Sequence, residues 1–309
     1  MATRCLCCQK LVETEERYHP RCLSLLWGIP RPPRIPFKAA DLPAMVMKDK
    51  TGMSISGAQP KASVRLNKQT ETLEMTAVGG THILKPEPEQ FPQLPQNENL
   101  CMNMAAEMGL PVPPHGLFEM SDGKLCYIIK RFDRTDDGGR IAKETMFQIL
   151  GSTDKYLGSL EMAGKTIRAH AANVGLDTID FFERVLFCFL TGNGDMHLKN
   201  WALLGAGREI ALAPCYDLVC SRLYIARETD SALTLNAKQN KLKRKDFEAF
   251  AERLKIDDKA AATIFDKFQN AREKVREMIA NSELRTDLRQ EMLTIASSRH
   301  QRLYGSKVP

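Results

Sequence analysis

The pattern of apolar residues changes character near Arg134, and that change restricts the chain to a few architectures. From about Met45 to Arg134 the apolar residues fall in short runs with strand-like content: Ala62–Leu66, Leu73–Val78 and Thr81–Lys85, separated by polar or Gly-Gly breaks. His115–Met120 and Leu125–Lys130 flank Ser121-Asp122-Gly123-Lys124, which reads as a hairpin. One helix is expected here, Asn97–Met108, with Leu100, Met104 and Met108 on one face. Gly109 and the prolines at 111, 113 and 114 stop it. After Arg134 helical spacing takes over, in Glu144–Leu150, Gly158–Asn173, Ile179–Leu190, Phe247–Leu254, Asp258–Ala280 and Asp287–Arg299. A short strand pair, Trp201–Leu204 and Glu209–Leu212, interrupts them around Gly205-Ala206-Gly207. The expected class is α+β and bilobal, with a small β-rich N-terminal lobe and a larger all-helical C-terminal lobe apart from that pair. Such a layout suits a nucleotide cleft but does not by itself assign a function.

A chain of 309 residues with 43% hydrophobic and 27% charged residues has the material for a sizeable core in two domains. No apolar run approaches the roughly 18 residues of a membrane span, and Met1-Ala2-Thr3-Arg4-Cys5 opens no secretory signal. A cytoplasmic location without direct membrane contact is expected. Nine cysteines, an odd number, fit a reducing compartment with free thiols or metal ligands. The net charge of +6 suits a nucleotide as well as RNA or DNA, so it excludes little. The densest basic run, Lys241 to Lys245, reads as a solvated loop.

Four segments follow from composition: a Cys/His-rich piece at 1–28, a proline-rich linker or extended arm at 29–44, the β-rich lobe at 45–134 and the helical lobe at 135–309. In the first, Cys5-x2-Cys8 and His19-x2-Cys22 supply four ligands at knuckle spacing, with Cys7 to spare. Zinc favours four such N and S ligands, and a metal here would be structural because no open position accompanies it. A surface segment with reduced thiols is the alternative.

The sharpest chemical segment is Gly192-Asn193-Gly194-Asp195-Met196-His197-Leu198-Lys199-Asn200, between an apolar helix and an apolar strand. Asp195 and Asn200 are spaced like the Asp and Asn of a kinase catalytic loop, where the Asp accepts the substrate hydroxyl proton and the Asn holds magnesium. Asp217, past the strand pair in Pro214-Cys215-Tyr216-Asp217-Leu218, could return as a second magnesium ligand. The competing reading is a polar turn with capping Asp and Asn residues. Upstream, Ser54-Ile55-Ser56-Gly57-Ala58-Gln59-Pro60-Lys61 offers small residues and a lysine to phosphates, although an ordinary turn has the same composition. Lys85, at a strand end in His82-Ile83-Leu84-Lys85-Pro86, could reach phosphates if Glu98 oriented it. The backbone of Ile128–Arg134 could pair with an adenine edge.

Taken in order, these segments resemble the HipA family of bacterial serine/threonine kinase toxins. The resemblance rests on Ser56-Gly57-Ala58-Gln59-Pro60-Lys61, His82-Ile83-Leu84-Lys85-Pro86, Asn97-Glu98 with Cys101-Met102, Arg131-Phe132-Asp133-Arg134, Gly192–Asn200, and Ala213-Pro214 with Tyr216-Asp217. It covers residues 45–222 and looks like the short HipT-type branch, which lacks the extra N-terminal subdomain. It implies a kinase-like fold that uses ATP and Mg2+. Asp195 would be the base, Lys199 would neutralise the transferring phosphoryl group, and Asn200 and Asp217 would bind magnesium. ATP would meet Gly57, Ala58, Gln59, Lys61, Lys85, Arg131, Phe132 and His197. Ser54 and Ser56 would be autophosphorylated, adding charge that repels a bound triphosphate.

The implied substrate is a serine of an aminoacyl-tRNA synthetase, whose modification halts translation. The implied partners are a small antitoxin resembling the missing subdomain and a DNA-binding HipB-like protein, which would provide the only link to nucleic acid. Lys130 stands where relatives often have Glu, and Pro60 where full-length members have an acidic residue. Two other readings stay open: a kinase of small molecules or lipids, and a non-catalytic pseudokinase or zinc-knuckle interaction protein.

Overall fold

The computed structural model describes residues 3–13, 16–42, 60–135, 137, 139–206 and 209–305. Ser54, Ser56, Gly57, Ala58 and Gln59 lie outside them. The chain forms two compact units, the first from residues 1–103 and 113–140, the second from 104–112 and 141–309.

The first unit is built on a five-stranded antiparallel sheet in the order β2-β1-β3-β5-β4. Its strands are β1 (Ala62–Asn67), β2 (Thr72–Met75), β3 (His82–Lys85), β4 (His115–Glu119) and β5 (Leu125–Lys130). β1 buries Ala62 and Val64 in alternation, as a half-covered strand should. β4 and β5 pair from His115–Ile129 to Glu119–Leu125, around the hairpin turn expected at Ser121–Lys124. Two further pieces of chain contribute to the core of this sheet. Helix α1 (Pro20–Trp27) gives it Leu23, Leu26 and Trp27, and the proline-rich stretch after it gives Ile35, Phe37 and Leu42. The stretch runs extended past β2, bonded through Arg34 N–H to Glu71 O and through Leu73 N–H to Arg34 O. Proline excludes helix here without disturbing a single bridge of this kind.

Helix α2 (Leu94–Glu107) begins and ends close to the expected limits, but it is not amphipathic. Leu94 to Ala105 are all buried, including Gln96, Asn97, Glu98, Asn99 and Asn103. Asparagine is a poor helix former, so an Asn-rich helix without a wet face must be held by specific hydrogen bonds rather than by propensity.

The second unit packs helices around a three-stranded antiparallel sheet, β6-β7-β8. These strands are β6 (Ala142–Thr145), β7 (Ala202–Ala206) and β8 (Glu209–Leu212). β7 and β8 are the expected pair. β6 is an addition: the helix expected over 144–150 is reduced to one turn, α3 (Met146–Ile149), because Thr145 caps it and residues 142–145 pair with β7. The lobe is thus helical with a third strand as well as the expected pair. Helices α4 (Leu160–His170) and α5 (Val174–Thr191) follow, then α6 (Arg244–Arg253), α7 (Asp258–Asn270), α8 (Arg272–Ala280) and α9 (Thr286–Tyr304). The single helix expected over 258–280 breaks at Ala271 into α7 and α8. Phe181, Phe182, Phe247, Phe250 and Phe265 fill the centre. Asp230 anchors α9 through ion pairs to Arg299 and Arg302. No helix among the described residues is long and apolar enough to cross a membrane.

Candidate functional site

In the second unit, α5 delivers the chain to the Asp195 loop through two glycines with different reasons to be glycine. Gly192 ends the helix at φ 74°, a left-handed conformation that favours glycine. A Cβ on Gly194 would lie 2.5 Å from both the Glu228 carboxyl carbon and the Thr229 carbonyl oxygen, so nothing larger fits. The loop is then cross-braced at nearly every residue. Asp195 N–H donates to Asn193 Oδ1 (3.2 Å) and His197 N–H to Asp195 O (2.8 Å). Leu198 N–H donates to Lys155 O (3.0 Å), and the Trp201 indole to Met196 O (3.2 Å). A 3-10 turn, Leu198–Asn200, closes it.

Asn200 Nδ2 donates to Asp195 O at 3.1 Å. That bond ties the Asn200 amide to the loop backbone through its nitrogen. The Tyr216 hydroxyl donates to Lys199 O at 2.9 Å and so ties the Asp217 segment to the Asp195 loop. Asp217 itself is left-handed, φ 55°. Backbone strain at a residue that is not glycine tends to occur where a side chain must be aimed. Both carboxylates raise the affinity of the His197 imidazole for its proton, yet burial outweighs them and its pKa stays below the ordinary value. Lys199 Nζ lies 4.6 Å from the centre of the Phe147 ring. Asp195, His197, Lys199, Asn200 and Asp217 are therefore held by one connected set of contacts.

Two residues that brace this loop carry no sequence signal of their own. The Tyr156 hydroxyl donates to Asp195 Oδ1 at 3.0 Å. Burial and the Asp195 charge push its pKa up to about 12. Glu228 accepts from Ser221 Oγ (2.8 Å) and Gly194 N–H (3.3 Å), and burial raises its pKa to about 7. Both lie far from the loop in sequence, and only the fold brings them to it.

In the first unit, Lys85 Nζ and Glu98 Oε1 are 2.6 Å apart, with side chains 6% and 1% exposed. The pairing expected from strand end and helix start is thus present, and it is buried. Lys61 is half-buried immediately before β1. Arg131 grips Asp133 with two nitrogens (2.9 and 2.7 Å), and Arg134 adds a third bond to the same carboxylate (2.9 Å). Two amides of the stretch expected to meet an adenine edge are already engaged. Lys130 N–H is bonded to Pro114 O and Arg131 N–H to Thr81 O, each at 2.8 Å, so sheet pairing has already used these two donors.

Cys5, Cys8, His19 and Cys22 place their ligand atoms within 4.8 Å of one another. Cys8 Sγ is 3.3 Å from His19 Nδ1, and His19 Nε2 bonds to Leu11 O at 2.9 Å. That outer bond puts the proton on Nε2 and turns the Nδ1 lone pair toward the sulfurs.

The fold is that of HipA-type kinases. A chain of the Shewanella oneidensis MR-1 HipA, HipB and operator DNA complex superposes with a TM-score of 0.70 at 21% identity, covering 88% of this chain and 72% of that one. The Helicobacter pylori proinflammatory kinase CtkA does so with a TM-score of 0.54 at 16% identity, covering 82% and 91%. The family is set by sequence: residues 53–275 match the HipA-like C-terminal domain, and the chain belongs to that family. A putative kinase of Haemophilus influenzae is 31% identical over 223 residues, which are 67% of this chain and 64% of the relative. The serine/threonine-protein kinase toxin HipA of Shewanella oneidensis is 26% identical over 216 residues, 63% of this chain and 49% of the relative. The chain thus spans between about half and two thirds of the length of these relatives.

Proposed function

We propose that the chain is an ATP-dependent protein kinase that phosphorylates serine or threonine and acts as a toxin restrained by partner proteins. The observation that carries this reading is the Asp195 loop, with a carboxylate held at its tip and the Asn200 amide tied to it by the bond to Asp195 O. In this reading Asp195 accepts the proton of the acceptor hydroxyl as its oxygen attacks the γ-phosphorus. The bond from that phosphorus to the β,γ-bridging oxygen breaks, ADP departs, and the proton on Asp195 passes to solvent. Lys199 and Lys85 offset charge on the phosphates, Arg131, Phe132 and His197 help seat the nucleotide, and Lys61 follows the phosphate loop. Asn200 and Asp217 are a fitting pair of hard oxygen donors for Mg2+, which supplies charge neutralisation of the phosphates when bound.

The finer terms of the proposal follow the family. The acceptor is a serine of an aminoacyl-tRNA synthetase, Ser54 and Ser56 are autophosphorylated, and a small antitoxin with a DNA-binding HipB-like protein silences the enzyme. The cysteine cluster holds a structural zinc ion and takes no part in phosphoryl transfer. Incubation of the purified chain with ATP and Mg2+, read by mass spectrometry, tests the core of the reading. Phosphate on Ser54, Ser56 or an added synthetase supports it if the Asp195→Ala form transfers none. Equal transfer by both forms would overturn it. Phosphorylation of a small molecule or lipid alone would replace the protein acceptor.

A further inference from the structure

The amino-terminal cysteine cluster lies against the helix that holds Glu98. The Cys5–Cys8 turn has the geometry of a metal knuckle: Gln9 N–H returns to Cys5 O (2.8 Å), Cys5 N–H bonds to Lys10 O (2.9 Å), and Gln9 is left-handed at φ 58°. His19 caps α1, whose first turn carries Cys22, and His19 N–H points at Cys5 Sγ (3.4 Å). Tetrahedral zinc with sulfur at about 2.3 Å and nitrogen at about 2.0 Å needs ligand-to-ligand edges of about 3.5 to 3.8 Å. The largest separation here, 4.8 Å, requires only a small contraction around an ion. Three thiols and an imidazole whose other nitrogen is already bonded form a closed donor set for Zn2+.

The turn is also a docking element. Leu6 O accepts from Leu117 N–H of β4 (3.0 Å) and from Asn99 Nδ2 of α2 (3.2 Å). Cys7 O accepts from Asn103 Nδ2 (2.7 Å), which also reaches Asn99 O (2.8 Å). β4 opens a notch for the turn at Gly116, where a Cβ would come within 2.6 Å of Cys7 Sγ and 3.1 Å of Cys7 Cα. Asn99 and Asn103 are 0% and 7% exposed, so water cannot readily replace these carbonyl partners. Glu98, the partner of Lys85, is the neighbour of Asn99 on the same helical turn.

We propose that Cys5, Cys8, His19 and Cys22 bind one Zn2+ as three thiolates and a neutral imidazole, and that this closed knuckle is the part against which α2 is positioned to hold Glu98 to Lys85. Uptake of the ion releases the three thiol protons, leaving a site of net charge −1. The zinc half rests on the structural-zinc term of the function proposed above, and the positioning half goes beyond it. Asn99 and Asn103 are positioning residues that act through Glu98.

The test uses the purified 309-residue chain without nucleotide, so that its outcome does not depend on the kinase reading. Elemental analysis should find one zinc per chain, and Co2+ in its place should give the absorption of a tetrahedral thiolate site. Absence of stoichiometric metal, or iron in place of zinc, overturns the site. Hydrogen exchange then tests the positioning. Removing zinc with a chelator should speed exchange in the 94–107 segment by about tenfold or more, the scale on which a buried hydrogen bond is lost. Asn99→Ala combined with Asn103→Ala should do the same while keeping the zinc, because all four ligands remain. Unchanged exchange in that segment after either perturbation overturns the positioning role. If zinc and coupling are both present but ATP does not bind, the kinase reading fails and this one stands.

Discussion

Glu98→Gln is the sharpest single perturbation of the first unit, because it removes a buried charge at nearly constant volume. At 2.6 Å and an effective dielectric of about 20, the Lys85–Glu98 attraction is ~6 kcal/mol before desolvation is counted. Glutamine keeps an acceptor for the ammonium, retaining a charge-assisted hydrogen bond worth at least ~1.5 kcal/mol. What remains is a cation 6% exposed that faces a neutral amide in place of the Glu98 carboxylate, and breaking a buried pair in this way costs ~3–5 kcal/mol. A net loss of ~1.5–3.5 kcal/mol is expected, a large share of the ~5–15 kcal/mol that holds a typical domain. The double variant Lys85→Met with Glu98→Leu removes both charges at similar volume and should return to within ~1–2 kcal/mol of the parent. The two tryptophans, Trp27 and Trp201, fall in different units, so urea unfolding in a Trp201→Phe background reports the first unit through Trp27. A single variant within ~0.5 kcal/mol of the parent, or a double variant as unstable as the single, would show that burial does not make this ion pair costly to break. If Lys85 also binds phosphate, the stable double variant should still lose ATP affinity.

Tyr156→Phe removes one charge-assisted bond to Asp195, worth ~1.5–3 kcal/mol. Turnover should fall about 10- to 100-fold with ATP affinity unchanged, as steady-state kinetics beside calorimetric titration would check. Asp195→Ala and Asp217→Ala should each abolish phosphate transfer in the mass-spectrometric assay while leaving the thermal transition of the second unit in place. Gly194→Ala forces a Cβ to within 2.5 Å of the Thr229 carbonyl and should cost ~1–3 kcal/mol in denaturant melts. Glu228, ordinarily near 4.5, sits at about 7, so the native state holds its proton where the unfolded chain has lost it. That contribution is full below about pH 4.5 and disappears as pH rises through about 7, at most ~3 kcal/mol in all. Glu228→Gln should flatten this part of the stability–pH curve, measured as the urea midpoint against pH.

Much of the site was readable because its signals are local. Asp195 and Asn200 sit on one short loop, and Asn200 Nδ2 to Asp195 O is a bond between near neighbours in the chain. Strands β1, β3 and β5 declared themselves by short apolar runs between turn formers. Helix α2 was located, but its burial was underestimated. A hydrophobic period reports one apolar face, whereas Asn97, Asn99 and Asn103 are buried by specific partners that no period encodes. An unusual density of asparagine inside an apolar helix was the available clue.

Short-range patterns in the chain made legible the β-then-α order, the Asp195–Asn200 loop and the two close pairs Cys5–Cys8 and His19–Cys22. Tertiary structure alone decided that Tyr156 meets Asp195, that Glu228 lies under Gly194, that the Lys130 and Arg131 amides are spent on sheet partners, and that the cysteine knuckle docks on α2. Each of these joins parts of the chain that approach one another only once the core has packed. Their energies come from burial and desolvation, which depend on how the whole unit closes around a side chain and not on its neighbours in sequence.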